Sequence, residues 1–319
     1  MDLSLLLENL TNPALLFFAL GVLAVRVRSD LEIPNNSSKF ISLYLLFSIG
    51  FKGGQELAHS HFSMEIVWSL LFGILIALII PIYTFYWLKR KFNIDDAGTV
   101  AAAYGSVSAV TFVTAVSFLE SHAIDFGGHM VAVMALMEAP AIIVGVILIR
   151  WYTPDKSSVP RLRSIIRHSI TNGSVFLIVG SLVIGFLAND QQAQGIKPFT
   201  TDIFKGFLAI FLLDMGIASG RRLNDFFAGG WFPSFFAVVI PALNGVLVAV
   251  LSGFVTDEIG NRFMFAILAA SASYIAVPAA MKIAAPRANP GIYLPMTLVV
   301  TFPFNITVGM PLYLSVITL

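Results

Sequence analysis

Apolar residues run along this chain in blocks of roughly twenty, divided by short polar connections. About twenty apolar residues is what an α-helix needs to cross the hydrocarbon of a bilayer. The blocks predict ten spanning helices, at 12–27, 38–55, 64–88, 97–118, 128–151, 172–189, 200–220, 229–255, 260–283 and 290–317. The connections are too short to hold a soluble domain. The longest, near 152–171, is polar and basic, with Asp155, Lys156, Arg161, Arg163 and Arg167. The pattern predicts an all-α polytopic membrane protein.

The two halves repeat. Ser48-Ile-Gly-Phe-Lys-Gly-Gly-Gln-Glu-Leu57 aligns with Asp214-Met-Gly-Ile-Ala-Ser-Gly-Arg-Arg-Leu223, 166 residues on, with Gly50 on Gly216 and Gly54 on Gly220. Ser106-Val-Ser108 is matched by Ser271-Ala-Ser273 at 165 residues, and Ile142-Ile-Val-Gly145 by Ile306-Thr-Val-Gly309 at 164. Chance recurrence of Gly and Ser in membrane helices is the competing explanation, but three matches in one order at nearly one offset favour duplication. Five spans per half is odd, so the second copy enters from the opposite face. The prediction is an inverted 5+5 repeat about an axis in the membrane plane, with residues 1–151 and 172–319 as the repeats and 152–171 as a cytoplasmic basic loop. Duplicated folds of this kind are mostly secondary transporters.

Composition agrees. The chain is 57% hydrophobic and 12% charged, with a mean hydropathy of +0.86, against about 25% charge in a soluble domain. A net charge of +1 without a basic run gives no ground for a nucleic-acid partner, and the absence of Cys removes disulfides, thiolate metal sites and Cys nucleophiles. The five His form no His-Glu-x-x-His motif, no Walker or dinucleotide loop is present, and no Ser/His pairing suggests a protease. Neither an enzyme nor a bound cofactor is expected.

Lys and Arg cluster in alternate connections. Of the 19, only Lys52, Lys197, Lys205 and Arg262 fall on the other side. The positive-inside rule makes the rich side cytoplasmic and puts both termini outside. The opening Met-Asp-Leu, with Glu8, lacks a basic n-region, so the first block is expected to stay as a span.

Segments four and nine are repeat mates rich in small and hydroxyl residues, interrupted by Gly105 and Pro278. Interrupted segments at corresponding positions point to a transporter site, as discontinuous helices. A half-helix that starts in mid-membrane offers orphan N–H groups and a positive dipole end to a small anion, and carbonyls on the other side of the break suit Na⁺. Ser106, Ser108, Thr111, Ser271 and Ser273 add hydroxyls; close helix packing alone would also use such residues.

Glu138 and Asp214 place carboxylates inside spans, at a cost of about 2.5–3.5 kcal/mol each on insertion scales, which marks them as functional candidates. Glu138 can ligand a cation, hold a proton, or bond backbone freed by Pro140. Asp214 stands near enough to Arg221 for an ion pair. Ser48, the repeat mate of Asp214, and Asn305, beside Pro303, complete the coupling-ion candidates. Lys52 can snorkel to the outer interface.

Gly105-Ser-Val-Ser-Ala-Val-Thr111, Met137-Glu-Ala-Pro-Ala141, Ala270-Ser-Ala-Ser-Tyr-Ile275, Arg287-Ala-Asn-Pro-Gly291 and Ile49-Gly-Phe-Lys-Gly-Gly54 follow one another across nearly the whole chain. In them the sequence resembles the sodium-dependent bicarbonate transporter (SbtA-type) permease family. The resemblance implies a homotrimer in a bacterial inner membrane that takes up HCO₃⁻ with Na⁺. It also implies a core domain moving like an elevator against a gate domain, and regulation by a cytoplasmic PII-like protein. Ala109 and Tyr274 join the site where cyanobacterial members have Gly and Asp. Losing that Asp removes a Na⁺ ligand, and Glu138 or Asp214 is then expected to supply the negative charge. Alternative readings are a symporter of another small anion or carboxylate, and a non-transporting receptor for the PII-like protein.

Overall fold

A computed structural model of the chain describes residues 7, 9–60, 63–153, 167, 171–228 and 230–319, with backbone only for 224–228. Asp155, Lys156, Arg161 and Arg163 of the basic loop lie outside the described residues. Among those described there is no strand.

The first half contains α1 (Pro13–Arg26), α2 (Asn35–His59), α3 (Met64–Leu88), α4 (Ile94–Gly105), α5 (Ala109–Ser121) and α6 (His129–Tyr152). The second contains α7 (Gly173–Leu187), the short α8 (Asp190–Lys197), α9 (Phe204–Ala228), α10 (Trp231–Leu251), α11 (Ile259–Ala270), α12 (Ala276–Ala284) and a long α13 (Pro290–Ile317). Pro295, Pro303 and Pro311 interrupt the regular ladder of α13, which widens to π-turns at Pro295–Thr301 and Asn305–Gly309.

Local chemistry explains the starts. Asn12 and Asn172 cap α1 and α7 alike, each side chain accepting from the amide two residues on. Asn93 caps α4 by accepting from the Asp96 amide at 2.8 Å.

Among the described residues, six helical stretches are long and apolar enough to cross a membrane: Met64–Leu88, Ile94–Ser121, His129–Tyr152, Asp190–Leu223, Trp231–Phe254 and Pro290–Ile317. Shorter apolar helices are Pro13–Arg26, Gly173–Leu187 and Ile259–Ala270. The chain is a multi-pass membrane protein. The expected spans 97–118 and 260–283 are each two helices: α4 and α5 part at 106–108, and α11 and α12 part at 271–275.

Packing swaps elements between halves. α1 lies along α9, and α7 lies along α2. Both contacts are made at glycines. A Cβ on Gly21 would overlap the Leu213 carbonyl, and one on Gly216 the Phe18 carbonyl. A Cβ on Gly54 would overlap the Leu182 carbonyl, and one on Gly185 the Phe51 carbonyl. Backbones this close gain van der Waals contact that larger residues would forbid.

A second correspondence lies at the helix starts. Asp96, at the beginning of α4, accepts from the Asn289 amide at 2.6 Å. Asn261, at the beginning of α11 and 165 residues later, accepts from the Gly127 amide at 2.7 Å. Each buried side chain ties its broken segment to a connection in the opposite half.

Candidate functional site

The two breaks cross. The Ser108 amide donates to Ser271 Oγ at 3.1 Å, and the Ser273 amide donates to the Ala103 carbonyl at 2.8 Å. Ser271 Oγ itself donates back to the Leu268 carbonyl at 2.9 Å. At the crossing Gly105 sits against Pro81 of α3, whose ring would overlap any Cβ there. Asn305, fully buried, donates to the Ala270 carbonyl at 2.8 Å and accepts from Tyr313 at 3.1 Å. It satisfies an orphan carbonyl at the end of α11.

For α5, the amides to place are those of Ser108, Ala109, Val110 and Thr111. Ser108 donates to Ser271, and Thr111 donates to Ser108 Oγ at 3.1 Å. The amides of Ala109 and Val110 are left open. For α12, the corresponding residues are Ile275, Ala276, Val277 and Pro278. Val277 donates to Ser273 Oγ at 3.3 Å, and Pro278 has no N–H. The amides of Ile275 and Ala276 are left open.

All four residues with open amides line one cavity of about 20 Å³, together with Ser108, Ser273, Tyr274 and Glu138. Tyr274 is 8% exposed, and its hydroxyl has no hydrogen-bond partner of good geometry among the described residues, Ser108 being its polar neighbour. An unpaired buried hydroxyl is costly, and Tyr274 is one of the residues that line the cavity. The cavity holds about one water-sized body. A larger anion enters only when the surrounding helices part.

Electrostatically the cavity is one-sided. Two helix N-termini and a hydroxyl offer donors to an anion. Glu138 supplies the only formal charge among the lining residues. Its carboxylate makes no hydrogen bond or ion pair among the described residues; its carbonyl accepts weakly from Ser106 Oγ at 3.4 Å.

Of the seven expected substrate residues, Ser108, Ala109, Ser273 and Tyr274 line the cavity. Ser106, Thr111 and Ser271 brace the two breaks. Of the coupling-ion candidates, Glu138 reaches the cavity. Asp214 instead accepts a short hydrogen bond from Ser38, Asn305 is committed to Ala270, and Ser48 is buried away from the cavity lining, without a partner among the described residues. Sequence reasoning missed Ser42 of α2 and Ser174 of α7, which also line the cavity. Ser174 follows the Asn172 cap and could have been flagged from it; nothing local marks Ser42.

A larger hollow, of about 800 Å³, lies toward the other end of α2 and is bordered by Lys52, Glu65, Glu120 and His129. It shares no lining residue with the small cavity. Five carboxylates line it, those of Glu56, Glu65, Glu120, Asp125 and Glu258, against the single lysine Lys52; Lys52 pairs with Glu120 at 2.7 Å, and Glu65 accepts from Asn261 at 3.4 Å.

Comparison with curated proteins finds no match. The family model described as the Na⁺-dependent bicarbonate transporter superfamily matches residues 13–318. A transporter and not an enzyme, the chain belongs to the Na⁺-dependent bicarbonate transporter superfamily.

Proposed function

We propose that the chain takes up bicarbonate by symport with Na⁺, binding the anion at the crossed breaks. The observation that carries this reading is the convergence of four open amides and the unpaired Tyr274 hydroxyl on one cavity. Such a cradle matches the oxygens of a small oxyanion. Glu138 is the attraction for the cation. An anion about 4 Å from an ionised carboxylate is repelled by about 4 kcal/mol at an effective dielectric of 20, so the charge on Glu138 must be balanced before the anion settles. Na⁺ provides that balance, and the two ions then load together.

The mechanism is elevator-like alternating access around an inverted 5+5 repeat of ten spans. Support for the repeat comes from the exchanged pairs, α1 with α9 and α2 with α7, and from the matched ties of Asp96 and Asn261. The gate comprises these glycine-packed pairs, and the crossed breaks form the moving core. The same reading includes a homotrimer in a bacterial inner membrane, both termini outside, with a PII-like protein on the basic cytoplasmic side.

Uptake of labelled bicarbonate into proteoliposomes tests the proposal. Accumulation driven by an inward Na⁺ gradient is expected. Equilibration without accumulation would mean a channel, and absence of flux would leave the receptor. Glu138→Gln is expected to abolish the Na⁺ dependence, while Asp214→Asn, remote from the cavity lining, is expected to retain it.

A further inference from the structure

The cavity at the crossed breaks has two walls of different origin. The broken segments supply the four open amides, and α2 and α7 supply Ser42, Leu46 and Ser174. Because α2 and α7 pack along each other, these three side chains belong to one surface of the gate. Neither the Ser42 nor the Ser174 hydroxyl has a hydrogen-bond partner among the described residues. Two uncommitted hydroxyls therefore share a small space with four uncommitted amides. An anion held there can accept hydrogen bonds from both walls.

The gate offers such hydroxyls at one level only. Ser42 lies near the start of α2, and Ser174 lies at the start of α7. Both helices start on the side of the Lys- and Arg-rich connections, which the positive-inside rule makes cytoplasmic. Seven residues further along α2, Ile49 and Gly53 take the places of Ser42 and Leu46, roughly 10 Å nearer the outer face. Those two residues border the large hollow. On α7 the same step leads from Ser174 to Ser181, which is buried against Gly50 of α2. Ser48 shares the helix face of Tyr44, one turn before it, and Tyr44 packs on Phe199 and Phe207. A core that carried the breaks outward would leave both uncommitted hydroxyls behind and meet an apolar stretch of α2.

We propose that Ser42 and Ser174 are the gate's own ligands for the anion, engaged only while the core faces the cytoplasm, so that the site binds bicarbonate more tightly from the cytoplasmic side than from outside. The inference rests on the anion site and the moving core proposed above. Each hydroxyl donates its O–H to an oxygen of the anion. Uptake then slows as bicarbonate collects inside, because the internal anion reoccupies the tighter side of the cycle.

The test compares initial uptake of labelled bicarbonate by right-side-out and inside-out membrane vesicles, which present the outer and the cytoplasmic face, with the Na⁺ gradient directed into the lumen of each. The wild type is expected to show the lower KM in inside-out vesicles. Ser42→Ala and Ser174→Ala are each expected to raise that KM about tenfold, the low end for a hydrogen bond to a charged group, and to leave the KM of right-side-out vesicles unchanged. Ser42→Thr, which keeps a hydroxyl, is expected to retain the wild-type value. Either alanine variant decides if the other does not fold, and the wild-type comparison decides if neither does. Equal wild-type KM values, a rise of equal size in both vesicle types, a rise confined to right-side-out vesicles, or no rise in either overturns the inference and leaves the anion site standing. Wild-type vesicles that take up bicarbonate through neither face remove the site and this inference with it.

Discussion

Replacing Tyr274 by Phe removes one oxygen and separates binding from packing. The Tyr274 hydroxyl is buried and unpaired among the described residues. Such a group costs the fold about 1–3 kcal/mol, so deleting it is expected to raise the melting temperature of the ligand-free protein. The ring keeps its edge-on contact with Phe302, at 5.7 Å between centroids, in either variant. With bicarbonate present the sign reverses. A hydrogen bond to a charged partner contributes about 1.5–3 kcal/mol, which converts to roughly a 10- to 150-fold loss of affinity. Thermal unfolding across a bicarbonate titration reads both quantities from one set of samples. A Phe variant that binds as tightly as wild type, or that loses stability and affinity together, would refute the assignment of this hydroxyl to the anion.

Three further outcomes follow from the packing. Asn305→Leu strips the Ala270 carbonyl of its donor and Tyr313 of an acceptor; a loss of about 1–3 kcal/mol is expected in thermal unfolding, with slower transport because the second break loses its brace. Gly54→Val drives a side chain into the Leu182 carbonyl and is expected to abolish monodisperse protein on size exclusion, whereas Gly180→Ala, which meets nothing within 4 Å, is expected to be neutral. Asp96→Ala breaks the 2.6 Å bond from the Asn289 amide and is expected to cost about 1.5–3 kcal/mol as a charge-assisted bond, measured by the unfolding midpoint; an unchanged midpoint would mean that this tie is not holding the halves together.

The sequence by itself determined the solvent and the local elements. Long apolar blocks place the chain in lipid, where every backbone group must be paired within the segment, so helices follow. Small and hydroxyl residues around Gly105 and Pro278 marked where two of those helices part; Gly or Pro alone does not, since Pro81 and Pro140 lie within the continuous α3 and α6. These are short-range effects, and composition reports them.

Which side chains share the cavity was decided by tertiary packing alone. Ser108 and Ser271 are 163 residues apart, and Ser273 and Ala103 are 170 apart, yet hydrogen bonds join both pairs. Asp214 and Glu138 are equivalent as carboxylates in spans, and only the fold separates them, by giving Asp214 a donor in Ser38 while leaving Glu138 at the cavity. Asn305 carries the same ambiguity until the Ala270 carbonyl is seen to claim it. Periodicity describes a helix against its surroundings; the pairing of a particular donor with a particular acceptor depends on how distant helices cross.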